Sequence, residues 1–268
     1  MTSTASSSPK DLTLALCGAE ERLQLALGTP GENGAELLAA QEWTVPGQSV
    51  RFLVPSLQSM LNALGLQTSD LSRIACVRGP GSFTGLRLSL SVVAALAIVH
   101  GLPQAGIDHL ALLARGPATL LNGTLAVVTH SRRQQVYVQA YSAPTGTPLS
   151  EAAAMTLKEA DSTLRTLSAQ RLPLYAFGSG LRRNADFFQY LVAESILTPL
   201  SMEWDAASPQ ALLSAACDLP PEAYADHPVE PLYMRPSDAE ENLETIARQR
   251  GLDPKLAKEM LRRSRQNT

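Results

Sequence analysis

The chain has 268 residues, 45% hydrophobic and 18% charged, with a net charge of −3. That suits one large globular domain or two small lobes, and the slight acidity excludes a global electrostatic drive toward nucleic acid. Three widely spaced cysteines, Cys17, Cys76 and Cys217, exclude a disulfide framework and a CxxC zinc site and point to a reducing compartment. The opening MTSTASSSPK is small and polar, lacks the apolar centre of a signal peptide, and is expected to be a disordered lead-in over residues 1–10. No unbroken apolar run reaches about 18 residues, so no membrane span is expected and the cytoplasm follows by elimination.

In chain order, Leu12–Leu16 reads as a short apolar strand, Cys17–Glu21 as a turn and Arg22–Leu27 as an alternating second strand. A loop rich in turn residues follows, and Ala35–Trp43 is a weaker third strand. Gln48–Leu64 has helical apolar spacing, with Ser49 as a cap and Pro55 as an expected kink. Ile74–Val77 is a strand that enters Arg78-Gly79-Pro80-Gly81-Ser82-Phe83-Thr84-Gly85-Leu86-Arg87. Leu86–Val99 is then apolar almost all round, the pattern of a helix buried on most sides, and Gly101 ends it.

A second unit starts with a short helix from His109 to Ala114. Leu125–Thr129 and Gln135–Tyr141 read as strands, Leu157–Leu167 as an amphipathic helix and Leu174–Phe177 as a strand ending in Gly178-Ser179-Gly180. Asn184–Leu197 and Pro209–Cys217 are helical. The order strand, strand, helix, strand, helix therefore recurs without a sequence repeat, which predicts two similar α/β lobes. The tail from residue 237 to 268 is charged and reads as helical, with Asp253 and Pro254 as a helix start and a basic end at Lys255, Lys258, Arg262, Arg263 and Arg265. A solvated helix explains such a run; an RNA or partner contact is the sharper alternative.

The chemistry in these motifs is sparse. Glycines bring backbone N–H groups close to an anion, and a helix N-terminus favours negative charge. The spacing here fits neither GxGxxG nor a P-loop, so a phosphate cradle and a tight strand-to-helix turn capped by Ser82 or Thr84 both stay open. His100, His109, His130 and His227 are scattered, with no metal-ligand spacing. Ser82 and Ser179 lie in no nucleophile elbow, and no acid or histidine can be placed beside Ser179 from sequence.

Residues Arg78–Arg87 closely resemble the RGPGSFTGLR signature of the TsaB (YeaZ) family of tRNA threonylcarbamoyladenosine biosynthesis proteins. Ser131-Arg132 with Val136-Tyr137 resembles the family's Asp-Ala-Arg…Val-Tyr segment. Phe177–Gly180 resembles its Gly-x-Gly turn, and Pro231–Arg235 its closing Pro-x-Tyr-Leu-Arg. The resemblance covers residues 11–236.

It implies an α/β actin-like/Hsp70-like (ASKHA) fold of two related lobes, each a mixed sheet flanked by helices. The implied lobes are residues 11–107 and 108–236, followed by the tail. It also implies a non-catalytic subunit that pairs with the catalytic TsaD, with the ATPase TsaE joining, for threonylcarbamoyl transfer to adenosine 37 of tRNA. In that reading tRNA is met only through the complex, a homodimer is an alternative assembly, and no cofactor is bound unless a nucleotide sits at the subunit junction. Gly79, Pro80, Gly81, Ser82, Phe83, Thr84, Gly85 and Arg87 become the junction loop.

Three positions depart from the family. Cys17-Gly18-Ala19 stands where the family has Asp-Thr-Ser. Gly47-Gln48-Ser49 replaces its Glu/His-His-Ser/Thr. His130 replaces the Asp before Ala-Arg, with Arg132 kept. A thiol, a hydrogen and a methyl group supply none of the oxygen ligands that Mg²⁺ takes. These positions are expected to form a degenerate cleft. An independent ATP-using or peptidase-like enzyme, or a homodimeric module with no tRNA link, are the alternatives.

Overall fold

The computed structural model describes residues 11–170, 172–234, 243–254, 256 and 259–260. The lead-in of residues 1–10 and most of the basic tail end lie outside the described residues, as does Arg235 of the closing motif. One compact unit ends at Leu232, and a second begins at Tyr233.

The first sheet is built on β1 (Thr13–Cys17), whose five residues are all buried. A meander adds β2 (Arg22–Gly31) and β3 (Gly34–Thr44) antiparallel on one side. β3 forms despite its Leu and Ala content because β2 offers it a ladder along its whole length. Helix α1 (Ser49–Ala63) crosses to β4 (Arg73–Gly79), which pairs parallel with β1. α1 runs through Pro55, and its N-cap is Gln48 rather than Ser49, without a side-chain cap bond.

Helix α2 (Phe83–His100) follows the glycine loop. Ser82 caps it by accepting from the Gly85 N–H, and Gly101 closes it in the left-handed conformation, both as the sequence predicts. By length and composition α2 is apolar enough to cross a membrane, with a mean hydropathy of 1.7, and 28% of it is buried. Its apolar run is broken by Thr84, Arg87, Ser89 and Ser91, so the expectation of no unbroken apolar run of that length stands. In the fold α2 packs on β4, β1 and α1. β5 (Gln104–Asp108), which the sequence reading missed, completes the order β3-β2-β1-β4-β5. Its five residues carry little strand propensity; the parallel ladder with β4 makes them a strand.

Helix α3 (His109–Ala118) leads to the second sheet. There β6 (Gly123–Arg132) pairs antiparallel with β7 (Gln135–Ala143), and β7 with β8 (Thr147–Pro148) and β9 (Ala153–Thr156). Helix α4 (Leu157–Ser168) starts with a Thr156–Glu159 capping box. β10 (Leu174–Phe177) then joins β6 in parallel. After α5 (Ser179–Arg183) and α6 (Ala185–Ala193), β11 (Thr198–Pro199) joins β10. The order is β11-β10-β6-β7-β8. Each sheet thus has an antiparallel meander on one side of its first strand and parallel strands on the other. The recurrence of element order in the sequence is a recurrence of topology.

Helices α1 and α2 cover one face of the first sheet through Leu53, Leu57, Leu90 and Val93. Helix α7 (Pro209–Cys217) comes from late in the chain to cover the other face with Leu212 and Leu213. Helices α4, α5 and α6 pack on the second sheet. α3 touches strands of both sheets, so its first residue, His109, lies where they meet. In the second compact unit the described helix is α8 (Leu243–Gln249).

Candidate functional site

The glycine loop is locked into the β1–β2 turn. The Ser82 N–H donates to the Ala19 carbonyl at 2.5 Å. A Cβ on Gly81 would lie 2.2 Å from the Ala19 oxygen, and one on Gly85 would lie 2.2 Å from the Gly18 oxygen. The two backbones therefore touch, and only hydrogen fits at both positions. The loop face that a phosphate would occupy is filled by the main chain of Gly18 and Ala19. An ATP–Mg²⁺ group does not fit this corner, since the loop is closed and Cys17-Gly18-Ala19 offers no side-chain oxygen. Of the two readings left open by spacing, the tight turn is the one the structure holds. The second sheet repeats the device: Gly178 and Gly180 lie against the Val128 and Thr129 carbonyls of β6.

The outer side of the loop is surface. Phe83 and Thr84 are exposed, and the Arg87 guanidinium stacks over the Phe83 ring at 3.9 Å. Gly79, at φ +128°, backs onto the main chain of Leu232, while Pro80 is buried.

Beside this lock a cleft of about 250 Å³ opens between the two sheets. Cys17 lines it from the end of β1, Glu20 and Glu21 from the β1–β2 turn, and His109 from the start of α3. Ser179, Arg182 and Arg183 line it from α5. The Ser179 hydroxyl donates to Glu20 Oε1 and accepts from the His130 N–H at 2.9 Å. Glu20 Oε2 stands 3.8 Å from His109 Nε2. Arg183 pairs with Glu21 at 2.6 Å, and Arg182 Nε with Asp205 at 2.9 Å. The turn after β1 is thus clasped to α5 of the other sheet by Glu20–Ser179 and Glu21–Arg183.

The sequence could place no acid or histidine beside Ser179; the fold brings Glu20 to it. The order of the three groups still departs from a hydrolytic triad. The carboxylate sits between the serine and the imidazole, so His109 is not placed to take the Ser179 proton. The arrangement holds two lobes together. Of the residues singled out from sequence, Cys17 lines the cleft, Gly18 and Ala19 form the lock, and His130 reaches the site through its main chain. Arg132 bonds Gln135 Oε1 at 2.9 Å across the β6–β7 turn. Sequence reading missed Glu20 and His109, because Glu20 and Ser179 are 159 positions apart and only the fold brings them together.

Burial alone would raise the Glu20 pKa, but His109, Ser179 and Arg183 together hold it below the usual carboxylate range. Burial alone would lower His109, but Cys17 and Glu20 raise it to about 9. Glu20 therefore adds stability above its unfolded value of about 4.3, lost as pH falls through the depressed folded value. His109 adds stability that is full below its unfolded value of about 6.5 and is lost as pH rises toward about 9. Denaturant unfolding is expected to show maximal stability between these limits. Glu20→Gln should flatten both limbs; a variant curve parallel to wild type would remove this account.

Two sheets with the same meander-plus-parallel order, flanked by helices and meeting at a cleft, define the actin-like/Hsp70-like (ASKHA) class. The solved structure of YeaZ from Pseudomonas aeruginosa shares the fold, with a TM-score of 0.62 at 21% identity over 83% of this chain and 99% of that one. A second P. aeruginosa chain, described as an uncharacterized protein with similarity to peptidase YEAZ, gives 0.60 at 23% identity over 84% and 100%.

In sequence, residues 47–172 match the family model of TsaD, tRNA N6-adenosine threonylcarbamoyltransferase. The tRNA threonylcarbamoyladenosine biosynthesis protein TsaB of Escherichia coli is 31% identical over 130 residues, 48% of this chain and 54% of that protein. The TsaB of Bacillus subtilis is 33% identical over 98 residues, 37% and 42% of the two chains. In these segments this chain is similar in sequence to proteins of the TsaB (YeaZ) family. The matched segments span about half the length of these curated relatives.

Proposed function

We propose that this chain is a non-catalytic partner subunit in the threonylcarbamoylation of tRNA adenosine 37, pairing with a TsaD homologue and with TsaE in the cytoplasm. The observation that carries the reading is the outward face of the α1–α2 layer. α2 is largely apolar, yet some of its apolar side chains are left uncovered by the chain itself. Ile98 and Val99 are 79% and 73% exposed at its end, and Val50 and Val54 are exposed on α1. Apolar side chains grouped on one helical layer suit a partner interface. The junction loop, with exposed Phe83 and Arg87, opens onto the start of the same helix. The closed corner and the clasped cleft support a role without chemistry of its own.

The test is co-elution of the purified chain with its cognate TsaD homologue at micromolar concentration, with nucleotide and TsaE present. Mass spectrometry of tRNA nucleosides after depletion of the protein accompanies it. Co-elution and loss of threonylcarbamoyladenosine are expected. Self-association with no TsaD binding and unchanged tRNA would select the homodimeric module instead.

A further inference from the structure

The β1–β2 turn is in contact with both lobes at once. Inward, its main chain is wedged under the start of α2. The Ser82 N–H donates to the Ala19 carbonyl at 2.5 Å, and a Cβ on Gly81 or Gly85 would meet the Ala19 or Gly18 oxygen at 2.2 Å. Gly18 has no more room, since its own Cβ would lie 2.5 Å from Ser89 Oγ in the second turn of α2. Outward, the next two side chains of the turn, Glu20 and Glu21, bond Ser179 and Arg183 of α5.

The far end of this path is equally tight. α5 is seated on β6: a Cβ on Gly178 would lie 2.4 Å from the Val128 oxygen, and one on Gly180 2.8 Å from the Thr129 oxygen. Close-packed main chain passes a displacement on, because such groups cannot be pressed into one another. Between these two backbone contacts the link is made of side chains. Arg183 and Glu21 pair at 2.6 Å but are 44% and 53% exposed, and an ion pair in water holds its geometry weakly. Glu20, Glu21, Ser179 and Arg183 also line the cleft of about 250 Å³, so a polar group entering the cleft competes for them. The clasp is therefore the part of the path with two arrangements, paired and parted.

We infer that the β1–β2 turn is a coupling element, through which the clasp between the lobes sets the position of the first turn of α2 and of the junction loop before it. With the clasp paired, the turn follows α5, and the Gly18 and Ala19 carbonyls hold Gly81 and Gly85 where they stand. With it parted, the second lobe no longer bears on the turn through these side chains. The Ser82–Ala19 bond is then the first inner contact to loosen. The exposed Phe83 at that point belongs to the surface assigned above to the partner. The consequence for assembly rests on that reading; the coupling itself does not. By linkage, a partner seated on the start of α2 tightens the clasp by the same factor as the clasp tightens the partner.

The test is hydrogen–deuterium exchange of the full chain with peptide mass mapping, in wild type and in the double variant Ser179→Ala with Arg183→Gln. That variant removes both clasp bonds without touching the first lobe. Exchange over residues 81–86 is expected to rise about tenfold, with β4 and β5 of the same sheet unchanged. Gln189→Ala, exposed on α6 and outside the clasp, should leave that segment as in wild type. Unchanged exchange over residues 81–86 in the folded double variant overturns the inference. So does a rise spread evenly over the first sheet, which is lost stability and not coupling. Should the double variant fail to fold, Arg183→Gln alone decides: its pair is exposed, so the fold persists, and a rise of about threefold is expected over the same segment. No rise there overturns the inference as well. Pairing with the TsaD homologue, measured alongside, should weaken about tenfold in the double variant although no residue of α1 or α2 has changed. Undiminished pairing beside faster exchange overturns the extension to the partner. A wild type that does not pair overturns the partner reading instead, and the exchange result still decides the coupling.

Discussion

Gly85→Ala is expected to destabilise this protein, although the same exchange inside an ordinary helix stabilises by about 1 kcal/mol. Gly85 lies in the first turn of α2, where its would-be Cβ falls 2.2 Å from the Gly18 carbonyl oxygen. Real Cβ atoms essentially never come within 3.0 Å of such an atom. Either α2 or the β1–β2 turn must retreat, and both are anchored. The turn is held by the buried strand β1 and by the Ser82–Ala19 bond, and the helix by Leu86, Leu90 and Val93 in the core. Forcing an extra methyl into a packed site costs about 1–3 kcal/mol, so the net loss should be about 2 kcal/mol and roughly 5 °C in Tm. Ser91→Ala, on the exposed side of the same helix, should stay within about 0.5 kcal/mol of wild type. Gly81→Ala meets the Ala19 oxygen at the same 2.2 Å and should behave like Gly85→Ala. The double variant should cost less than the sum, since one retreat of the turn relieves both contacts. A Gly85→Ala protein as stable as wild type in denaturant unfolding would falsify the interlock.

The ten residues from Arg78 to Arg87 were legible because their constraint is local. A strand, three glycines and a helix lie within one stretch, and each glycine answers to a backbone a few ångströms away. The repeated topology was legible for a related reason, since element order follows from periodicity. What the sequence concealed depends on distant partners. β5 exists because β4 lies beside it. α7 reads as an amphipathic helix, but nothing local says that Leu212 and Leu213 return to the first sheet. Glu20 reads as a solvated turn residue until Ser179 and His109 arrive from other elements. The polar site of this protein is made of such meetings, so the sequence located the glycine lock and the Cys17 corner but not the clasp next to them.

Ile98→Glu and Val99→Glu are expected to leave folding intact and to weaken pairing with the TsaD homologue about 30-fold or more. The choice of position follows from burial. Leu88 and Val92 point partly inward and pack against the first core, so a charge there would disturb folding and pairing together. Ile98 and Val99 are 79% and 73% exposed, so the unpaired chain already solvates those positions and a glutamate costs it within about 0.5 kcal/mol. In a complex that covers α2 the same carboxylate is buried without a partner. Stranding a charge in this way costs about 2 kcal/mol or more, which is a loss of about 30-fold in affinity. Val54→Asp on α1 tests whether both helices share the interface: it should weaken pairing similarly if the partner spans the layer, and little if α2 alone is covered. The comparison also separates the two assemblies. A homodimer built on this face would fall apart in the same variants while TsaD binding persisted elsewhere. Undiminished co-elution of folded Ile98→Glu and Val99→Glu proteins with TsaD would therefore remove the α2 face from the TsaD interface.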